Sequence, residues 1–413
     1  MNDSSQAYRA RFVFPGVGQP IPGGIVTLAG GRIVSVGKRS AGPRARDLGD
    51  VAILPGLINA HTHLEFSHLR KPLGTPNMAF PDWIRAVIAH RAAEASARRD
   101  SLQAGLSECL QSGTAAIGEI ATTGWSLDAF TASPIHSTLF FELIGLSDEA
   151  ASERVTLARE HLSLLAASSK IHAGLSPHAP YTVHPELCKQ LVELAMRERC
   201  PLTMHLAESP EELELLATAS GPFRALLEER GVWQSDALPG GLRPLDYLKW
   251  LSRAPRTLVV HGNYLDDDEI AFIAEHDERM SVVYCPRTHA YFGHFEYPLA
   301  RLLRAGVRVA LGTDSRASNP DLSLLAEMRH VARHHTNVSP RDVLRMGTQC
   351  GAEALALSES LGSLEPGKNA ALTLVRLPSN GHSEPHELLF GGDDPVVATM
   401  IDGQLFMHER PDA

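Results

Sequence analysis

The chain has 413 residues, of which 44% are hydrophobic and 21% are charged, so it can bury a large core and still stay soluble. Its 38 Lys and Arg residues against 48 Asp and Glu residues give a formal net charge of -10, which opposes attraction to phosphate backbones and argues against a nucleic-acid partner. The length suits one large α/β core with a small satellite domain, because α/β barrels commonly reach this size.

The cysteines and the N-terminus indicate a cellular compartment. The five cysteines are scattered and never stand in a CxxC spacing, so neither a disulfide framework nor a cysteine metal site is predicted. The first residues, MNDSSQAYRARFVFPG, lack the apolar core of a signal peptide. No segment offers about 18 uninterrupted apolar residues, the length that crosses a membrane. We therefore expect a cytoplasmic protein with reduced thiols and no membrane partner.

Both ends of the chain are predicted to form short β-strands separated by turns. Residues 9–54 alternate β-type runs such as IVTLAGGRIVSVG with Gly and Pro. The same texture returns near the C-terminus in SLEPGKNAALTLVRL and VVATMIDGQLF. We expect residues 1–55 and 361–413 to form one small β-sandwich-like domain that flanks a central domain over residues 56–360.

In the central part, short apolar runs alternate with helical stretches. Intervening segments such as SPEELELLATASGPFRALLEER carry apolar residues at three-to-four spacing, which is typical of helices packed outside a barrel. We therefore predict an α/β fold, a (β/α)8 TIM-like barrel. A doubly wound open sheet would alternate in the same way, but no glycine-rich phosphate loop follows the first run. The eight runs are Leu57 to His63, Thr114 to Glu119, Thr138 to Leu143, Ile171 to Ser176, Leu202 to Leu206, Thr257 to Gly262, Ser281 to Cys285, and Val307 to Asp314.

The strongest local motif is PGLINAHTHLEFSH, in which His61 and His63 end the first run. On a strand, residues two apart face the same side, so both imidazoles can meet one ion inside the barrel. A histidine pair of this kind is more often packed or solvated than ligating. Its position favours a metal site, because barrels carry their chemistry at the carboxyl ends of their strands.

A second motif, TMHLAESPEE, ends the fifth run with His205 and places Glu208 three residues later. Ser209 and Glu212 already satisfy a helix-start pattern, so capping does not require Glu208. The alternative interpretation is a core histidine that precedes an acidic helix start. A carboxylate just past the barrel rim can instead exchange protons with a water and a bound substrate.

The sixth and eighth runs also end in candidate functional residues. LVVHGNYLDDDE places His261 at the end of one run, and VRVALGTDS places Asp314 at the end of the other. Either residue alone is more often a turn former or a helix cap. Four separate runs that end in His or Asp on the catalytic face of a barrel together predict one shared site.

These motifs resemble the amidohydrolase superfamily over nearly the whole chain. The chain is most similar to the branch that contains adenosine-type, S-adenosylhomocysteine/methylthioadenosine, aminofutalosine and guanine deaminases and triazine hydrolases. Strand four ends in IHAGLSPHAPYT, without the lysine that binuclear members use, which favours a single ion. The resemblance implies that one divalent metal ion is held by His61, His63, His205 and Asp314. Three histidines and one aspartate suit Zn2+, which is our first expectation, and Fe2+ is the alternative.

By the same resemblance, Glu208, His261 and Asp314 are catalytic. The implied reaction replaces a ring amino group by oxygen from a water that the ion activates. Glu208 would protonate the ring nitrogen next to the reacting carbon. His261 and Asp314 would orient the water and move its proton, and ammonia would leave.

The resemblance further implies substrate contacts for four residues. His178 follows strand four in SPHAPYT, and Trp83 in MAFPDWI matches a lid aromatic. The run YCPRTHAYFGH resembles the Cys-Pro-Arg-Ser-Asn of aminofutalosine deaminases, but His289 stands where Asn is expected, which leaves the substrate open. Arg287 in this run can pair with a carboxylate of a substrate. Each of three residues has a structural alternative. His178 would then be an ordinary loop histidine, Trp83 would pack the first helix, and Arg287 would anchor its loop.

We therefore expect a metal-dependent aminohydrolase that acts on a small molecule, a 6-aminopurine nucleoside-like compound such as aminofutalosine, adenosine or a thioether derivative. The enzymatic alternative is a hydrolase of the same fold that expels another group, such as chloride from a triazine or the nitrogen of a cyclic amide. A non-catalytic barrel is the second alternative, and the complete ligand set argues against it. The oligomeric state stays open, with a homodimer as one expectation.

Overall fold

The strands of this protein fall into a central set and two terminal sets. The computed structural model describes residues 5–93, 98–165, 168, 170–379 and 384–408. The N-terminal strands are β1 (Gln6–Arg9), β2 (Phe12–Val13), β3 (Ile21–Pro22), β4 (Ile25–Ala29), β5 (Arg32–Gly37), β6 (Arg46–Asp47) and β7 (Val51–Pro55). The central strands are β8 (Leu57–Thr62), β9 (Thr114–Ala121), β10 (His136–Leu143), β11 (Ile171–Pro177), β12 (Leu202–Leu206), β13 (Thr257–His261), β14 (Met280–Tyr284) and β15 (Val309–Leu311). The C-terminal strands are β16 (Leu372–Arg376), β17 (Val396–Ile401) and β18 (Gln404–Met407).

Helices follow the central strands and pack outside them. The early helices are α1 (Phe80–Ala93), α2 (Arg98–Gln111), α3 (Leu127–Ala132), α4 (Asp148–Leu165), α5 (Pro185–Glu198), α6 (Pro210–Thr218), α7 (Pro222–Glu229) and α8 (Pro244–Leu251). The later helices are α9 (Asp267–Glu275), α10 (Pro286–Tyr291), α11 (Leu299–Arg304), α12 (Leu324–His334), α13 (Pro340–Met346), α14 (Gln349–Ala354) and α15 (Pro385–Phe390).

The central strands form an eight-stranded parallel sheet in chain order, so the predicted barrel is confirmed. The first and last strands meet through a parallel bridge between Thr62 and Asp314. Asn59 strengthens this junction, because its Nδ2 donates to Thr313 Oγ1 at 2.8 Å and its Oδ1 accepts from the Thr313 backbone N–H at 3.1 Å. The closure brings the end of the histidine-bearing first strand beside the end of the last strand.

Gly312 permits this close approach of the last strand to the first. A Cβ atom at this position would lie 2.8 Å from the carbonyl oxygen and 2.9 Å from the Cβ of His61. Both distances are shorter than van der Waals contact, so any larger residue would push the two strands apart. The glycine of the GTDS motif therefore has a packing role next to the functional residues.

The strand predictions were accurate in number and place, but their ends differ. β8 ends at Thr62, so His63 lies just past the strand and directly before a short 3-10 helix over Leu64–Phe66. The last strand is only Val309–Leu311, so Asp314 lies three residues past it. The helical stretch from residue 210 to 229 is interrupted at Ala219 and Gly221, both at positive φ, which end α6 and start α7.

The two ends of the chain pair with each other, as predicted for the small β region. β7 pairs antiparallel with β16, with Ile53 opposite Leu374, in a six-stranded mixed sheet ordered β18-β17-β16-β7-β2-β3. A second sheet has the order β5-β4-β1-β6. All five cysteines are buried and unpaired. Within the described residues, no helix is long and apolar enough to cross a membrane.

Candidate metal centre and active site

Three histidines converge at the carboxyl-terminal end of the barrel. His61 lies on β8, His63 directly follows that strand, and His205 lies on β12. All three are buried, and their ligand nitrogens lie within 4.8 Å of one another. The Nε2 atoms of His61 and His63 are 3.1 Å apart. This cluster has the donor chemistry of a divalent-metal site.

Asp314 supplies a carboxylate to the same cluster from the opposite side of the barrel closure. Its Oδ1 lies 3.7 Å from His61 Nε2 and 3.6 Å from His63 Nε2. Its Oδ2 accepts a hydrogen bond from Ser318 Oγ at 2.9 Å, which fixes the rotation of the carboxylate. The four residues predicted as metal ligands therefore come together in one place.

The spacing of these donors fits a single ion. Two ligands about 2.1 Å from one ion in tetrahedral geometry stand about 3.4 Å apart. The distances of 3.1, 3.6 and 3.7 Å between the donor atoms of His61, His63 and Asp314 bracket that value. The Nδ1 atom of His63 is buried and has no hydrogen-bond partner among the described residues.

His63 and His205 are held in the neutral form that binds metals. Burial lowers the pKa of His63, and the neighbouring His61 lowers it further. Burial likewise lowers the pKa of His205. His205 Nδ1 lies 2.9 Å from the backbone oxygen of His178, and because a carbonyl only accepts, Nδ1 carries the proton and Nε2 keeps its lone pair.

Glu208 and His261 form a polar pair beside the cluster. Glu208 Oε1 lies 3.2 Å from His261 Nε2, and both side chains are almost fully buried. Burial, reinforced by the nearby charge of Asp314, raises the pKa of Glu208 well above its ordinary value. Burial lowers the pKa of His261. The pair therefore combines a carboxylic acid that can donate a proton with a neutral imidazole that can accept one.

The backbone is strained where the strands deliver these residues. Ala207, His261 and Asp314 adopt positive φ values of 53°, 67° and 56°, a left-handed conformation that costs non-glycine residues about 1–3 kcal/mol each. The carbonyl of His261 accepts from Tyr297 Oη at 2.8 Å, and that of Asp314 accepts from Thr62 Oγ1 at 3.0 Å. These hydrogen bonds hold the turns at His261 and Asp314, so the backbone fixes the directions of these two side chains.

A cavity of about 140 Å³ opens onto the cluster. Its floor includes His63, His205, Glu208, His261 and Asp314. Two of the four predicted substrate contacts, His178 and Trp83, line its walls. Trp83 is held in place because its Nε1 donates to the backbone oxygen of Ala317 at 3.1 Å and its ring stacks on Phe80 with centroids 5.7 Å apart. Substrate contact by His178 and Trp83 stays a prediction, and both side chains lie in the cavity wall.

Arg287, by contrast, does not line this cavity. Its Nε donates to Glu327 Oε1 at 2.6 Å, and its Nη2 donates to Asp321 Oδ1 at 2.6 Å. A guanidinium already paired with two carboxylates has no charge left for a substrate carboxylate. Between the two interpretations of this arginine, the geometry favours the loop anchor.

His289 also lies outside the cavity lining. Its ring packs edge-on against Tyr284 and Tyr297, with centroids 5.8 and 5.5 Å away. Burial lowers its pKa to about 3, so the ring is neutral. His289 therefore lies on α10, where its ring packs against Tyr284 at the end of β14.

We expect Arg287→Ala to destabilise the protein without weakening substrate binding. Removing the arginine leaves Glu327, whose side chain is 0% exposed, buried without its counterion. The loss in the free energy of unfolding should be about 3 kcal/mol, as measured by denaturant titration. Arg333→Ala is the matched control, since Arg333 pairs with the exposed Asp393 and should cost less than about 1 kcal/mol. A raised KM at unchanged stability would restore Arg287 as a substrate contact.

Sequence reasoning missed several polar residues of the cavity. Arg91 on α1 and Glu142 on β10 line it beside Tyr181 and Thr182. Arg91 pairs with Glu65 through a short ion pair and lies over the Phe66 ring at 5.3 Å. Glu142 Oε1 lies 3.8 Å from His178 Nε2. The position of Glu142 near the end of a barrel strand was the available signal, whereas Arg91 sits in an ordinary helical pattern.

The fold and the site together define a barrel hydrolase whose strand ends carry a cluster of histidines suited to a metal ion. The chain belongs to the amidohydrolase family, with a match over residues 52–406, which confirms the predicted family. It is 31% identical over 354 residues to an aminodeoxyfutalosine deaminase of Deinococcus radiodurans, covering 81% of each chain. It is 31% identical over 380 residues to a 5'-deoxyadenosine deaminase of Methanoregula boonei, covering 86% of this chain and 79% of the relative. A crystal structure of an adenosine deaminase from Xanthomonas campestris with bound zinc has a TM-score of 0.81 at 24% identity, covering 98% of this chain and 93% of that chain.

Proposed function

We propose that the protein is a metal-dependent aminohydrolase that replaces a ring amino group by oxygen on a 6-aminopurine nucleoside-like substrate. The observation that carries the proposal is the buried acid Glu208, 3.2 Å from His261 and beside a three-histidine cluster. Deamination of such a ring needs a proton donor at the ring nitrogen, and a buried carboxylic acid with a raised pKa supplies one. The deaminase relatives support the same reaction class.

The metal ion would be held by His61, His63, His205 and Asp314, with zinc as the proposed ion. When bound, such an ion supplies Lewis-acid activation of water, lowering the water's pKa from about 15.7 toward about 7. The zinc-bound adenosine deaminase of similar fold supports this choice. The nitrogen and oxygen donors of the cluster would also accept iron.

The proton movements fall to three residues of this chain. Glu208 donates its proton to the ring nitrogen, which makes the adjacent amino-bearing carbon more electrophilic. His261 and Asp314 accept the proton that the attacking water loses when its oxygen bonds to that carbon. The proton passes to the amino group, the C–N bond breaks, and ammonia leaves. As the carbonyl forms, the remaining proton of the former water returns to Glu208, so the ring nitrogen keeps its hydrogen and the protons balance.

The cavity walls suit a flat ring with a polar substituent. One wall is apolar and aromatic, formed by Phe80, Trp83, Ile84 and Val87. The volume of about 140 Å³ is below the range of about 300–1,000 Å³ that is usual for drug-sized ligands. We propose that the ring occupies the closed part and that a ribose-like group points toward the opening, where Ile144 is 40% exposed.

Glu142 is the carboxylate placed to accept hydrogen bonds from such a substituent. We expect Glu142→Gln to raise the KM for a nucleoside by about tenfold, since a hydrogen bond to a charged group is worth about 1.5–3 kcal/mol. The kcat should change little, because Glu142 lies on the wall beside His178 and not beside His261. Steady-state kinetics on a nucleoside and its free base check this. An equal rise in KM for the nucleoside and the free base would show that Glu142 does not contact the ribose-like substituent.

A coupled ammonia assay tests the proposed function. The metal-loaded protein is offered adenosine, 5'-deoxyadenosine, methylthioadenosine, S-adenosylhomocysteine, aminodeoxyfutalosine, guanine, cytosine and a chlorinated triazine. We expect ammonia from at least one 6-aminopurine nucleoside. Chloride release without ammonia would replace the proposal by triazine hydrolysis, and no turnover of any compound by metal-loaded protein would favour a non-catalytic barrel.

A further inference from the structure

One buried carboxylate holds the peptide that carries Glu208. The side chain of Glu212, on the first turn of α6, is 0% exposed. Its Oε1 accepts the Ala207 backbone N–H at 2.8 Å, and its Oε2 accepts the Glu208 backbone N–H at 2.9 Å. Both oxygens are therefore bound to two consecutive donors of the segment between His205 and Glu208.

The backbone N–H groups of Ala207 and Glu208 need a hydrogen-bond partner from outside the β-sheet. The chain leaves β12 at Leu206, so the next N–H groups have no neighbouring strand to pair with. A buried N–H left unpaired costs about 1–3 kcal/mol. The left-handed turn at Ala207 adds a strain of about 1–3 kcal/mol. The carboxylate offsets both costs and so selects this conformation of the turn.

The opposite side of the same segment is also fixed. Asn263 Nδ2 donates to the backbone oxygen of Glu208 at 2.8 Å, and the Tyr264 N–H donates to the oxygen of Ala207 at 3.0 Å. The segment is thus held on its donor side by the Glu212 side chain and on its acceptor side by the Asn263 side chain and the Tyr264 backbone. This leaves the Glu208 side chain little freedom beyond its own rotamers.

Capping of α6 does not explain where the Glu212 carboxylate points. Ser209 begins the helix, and its Oγ accepts the Glu212 backbone N–H at 3.3 Å, as the sequence pattern predicts. A glutamate at this position normally returns a hydrogen bond to the N–H of the capping residue. Here the carboxylate reaches past Ser209 to the two preceding residues. The helix start is satisfied by Ser209, and the carboxylate serves the turn that carries Glu208.

We infer that Glu212 is a positioning residue that sets the orientation of Glu208 toward His261 and the substrate ring. The inference rests on the role of Glu208 under the proposed function. Glu212 acts through the backbone and does not line the cavity that opens onto the cluster. Displacing Glu208 by even about 1 Å can cost about 100-fold in rate.

The test is a double-substitution cycle on the metal-loaded enzyme. In Glu212→Gln, one oxygen still accepts, but the amide NH2 faces a backbone donor, so the turn relaxes. We expect kcat to fall about 100-fold with KM changed less than about threefold. Glu211→Gln, which removes the same charge from the same turn of α6, is the matched control and should stay within about twofold of the unsubstituted enzyme.

The combined variant distinguishes positioning from general support of the fold. If Glu212 acts only through Glu208, Glu208→Gln/Glu212→Gln has the kcat of Glu208→Gln alone. Losses that multiply overturn the positioning role while leaving the role of Glu208 intact. Full turnover of Glu212→Gln also overturns it. Full turnover of Glu208→Gln overturns the catalytic role of Glu208 and the inference together.

Two further variants apply if Glu212→Gln does not fold. Glu212→Asp keeps the charge but withdraws the carboxylate by one methylene. Asn263→Ala releases the acceptor side of the same peptide while leaving the Glu212 contacts in place. Each should lower kcat more than it raises KM, and neither should lower it further in a Glu208→Gln background. An unchanged kcat in both folded variants contradicts the inference.

Discussion

Glu208→Gln is expected to retain the metal ion and lose about 100- to 10,000-fold in turnover, the range that a general acid–base residue contributes. The amide has nearly the shape of the carboxylic acid but cannot deliver a proton to the ring nitrogen. Because Glu208 lies beside the histidine cluster without being one of its donors, metal content should be unchanged. Steady-state kinetics and elemental analysis of the same preparation measure the two quantities.

The control for this variant is Glu211→Gln, three residues along the chain, which should keep normal turnover and metal content. A Glu208→Gln protein with near-normal kcat would remove Glu208 from the acid role. Loss of metal together with turnover would instead make Glu208 part of the metal site.

His205→Ala is expected to lose the metal ion and, with it, turnover. The three histidine nitrogens lie within 4.8 Å of one another, so removing one leaves an incomplete and poorly shaped donor set. Losing an outer partner of a metal site already costs about 10–100-fold in affinity or activity, and loss of a donor should cost more. Elemental analysis after dialysis and the ammonia assay measure the effect.

His334→Ala is the matched control, because His334 is an exposed histidine at the end of α12. It should bind metal and turn over substrate normally. A His205→Ala protein that keeps a full complement of tightly bound metal would show that the ion is held elsewhere. Partial restoration of turnover by excess zinc would agree with weakened binding at the same place.

The barrel and most of its catalytic face follow from local sequence patterns. Each central strand is a short apolar run whose ends are marked by a His, an Asp, a Gly or a Pro, and hydrophobic burial makes such runs recognisable without tertiary information. His61, His205, His261 and Asp314 could be assigned because strand order brings all strand ends to one face. The exact strand ends could not, since His63 and Asp314 lie beyond them in turns fixed by tertiary contacts.

Sequence reasoning missed contacts that depend on the folded path of the chain. The Glu212 side chain matched a local capping pattern, yet its carboxylate binds the preceding turn. Arg91 had no local signal, because its place in the cavity depends on how α1 packs over the barrel. Arg287 was predicted to contact a substrate, with a loop-anchoring role as the alternative, and only the fold shows that Glu327 and Asp321 lie beside it.

Metal stoichiometry is the most direct test of the proposed single-metal centre at the barrel end. Purified protein is stripped with a chelator, reloaded with zinc, freed of excess ion and analysed for metal per chain alongside its ammonia release. We expect about one ion per chain, with turnover lost on stripping and regained in proportion to the bound metal. Two ions per chain, or full turnover by the stripped protein, would contradict it.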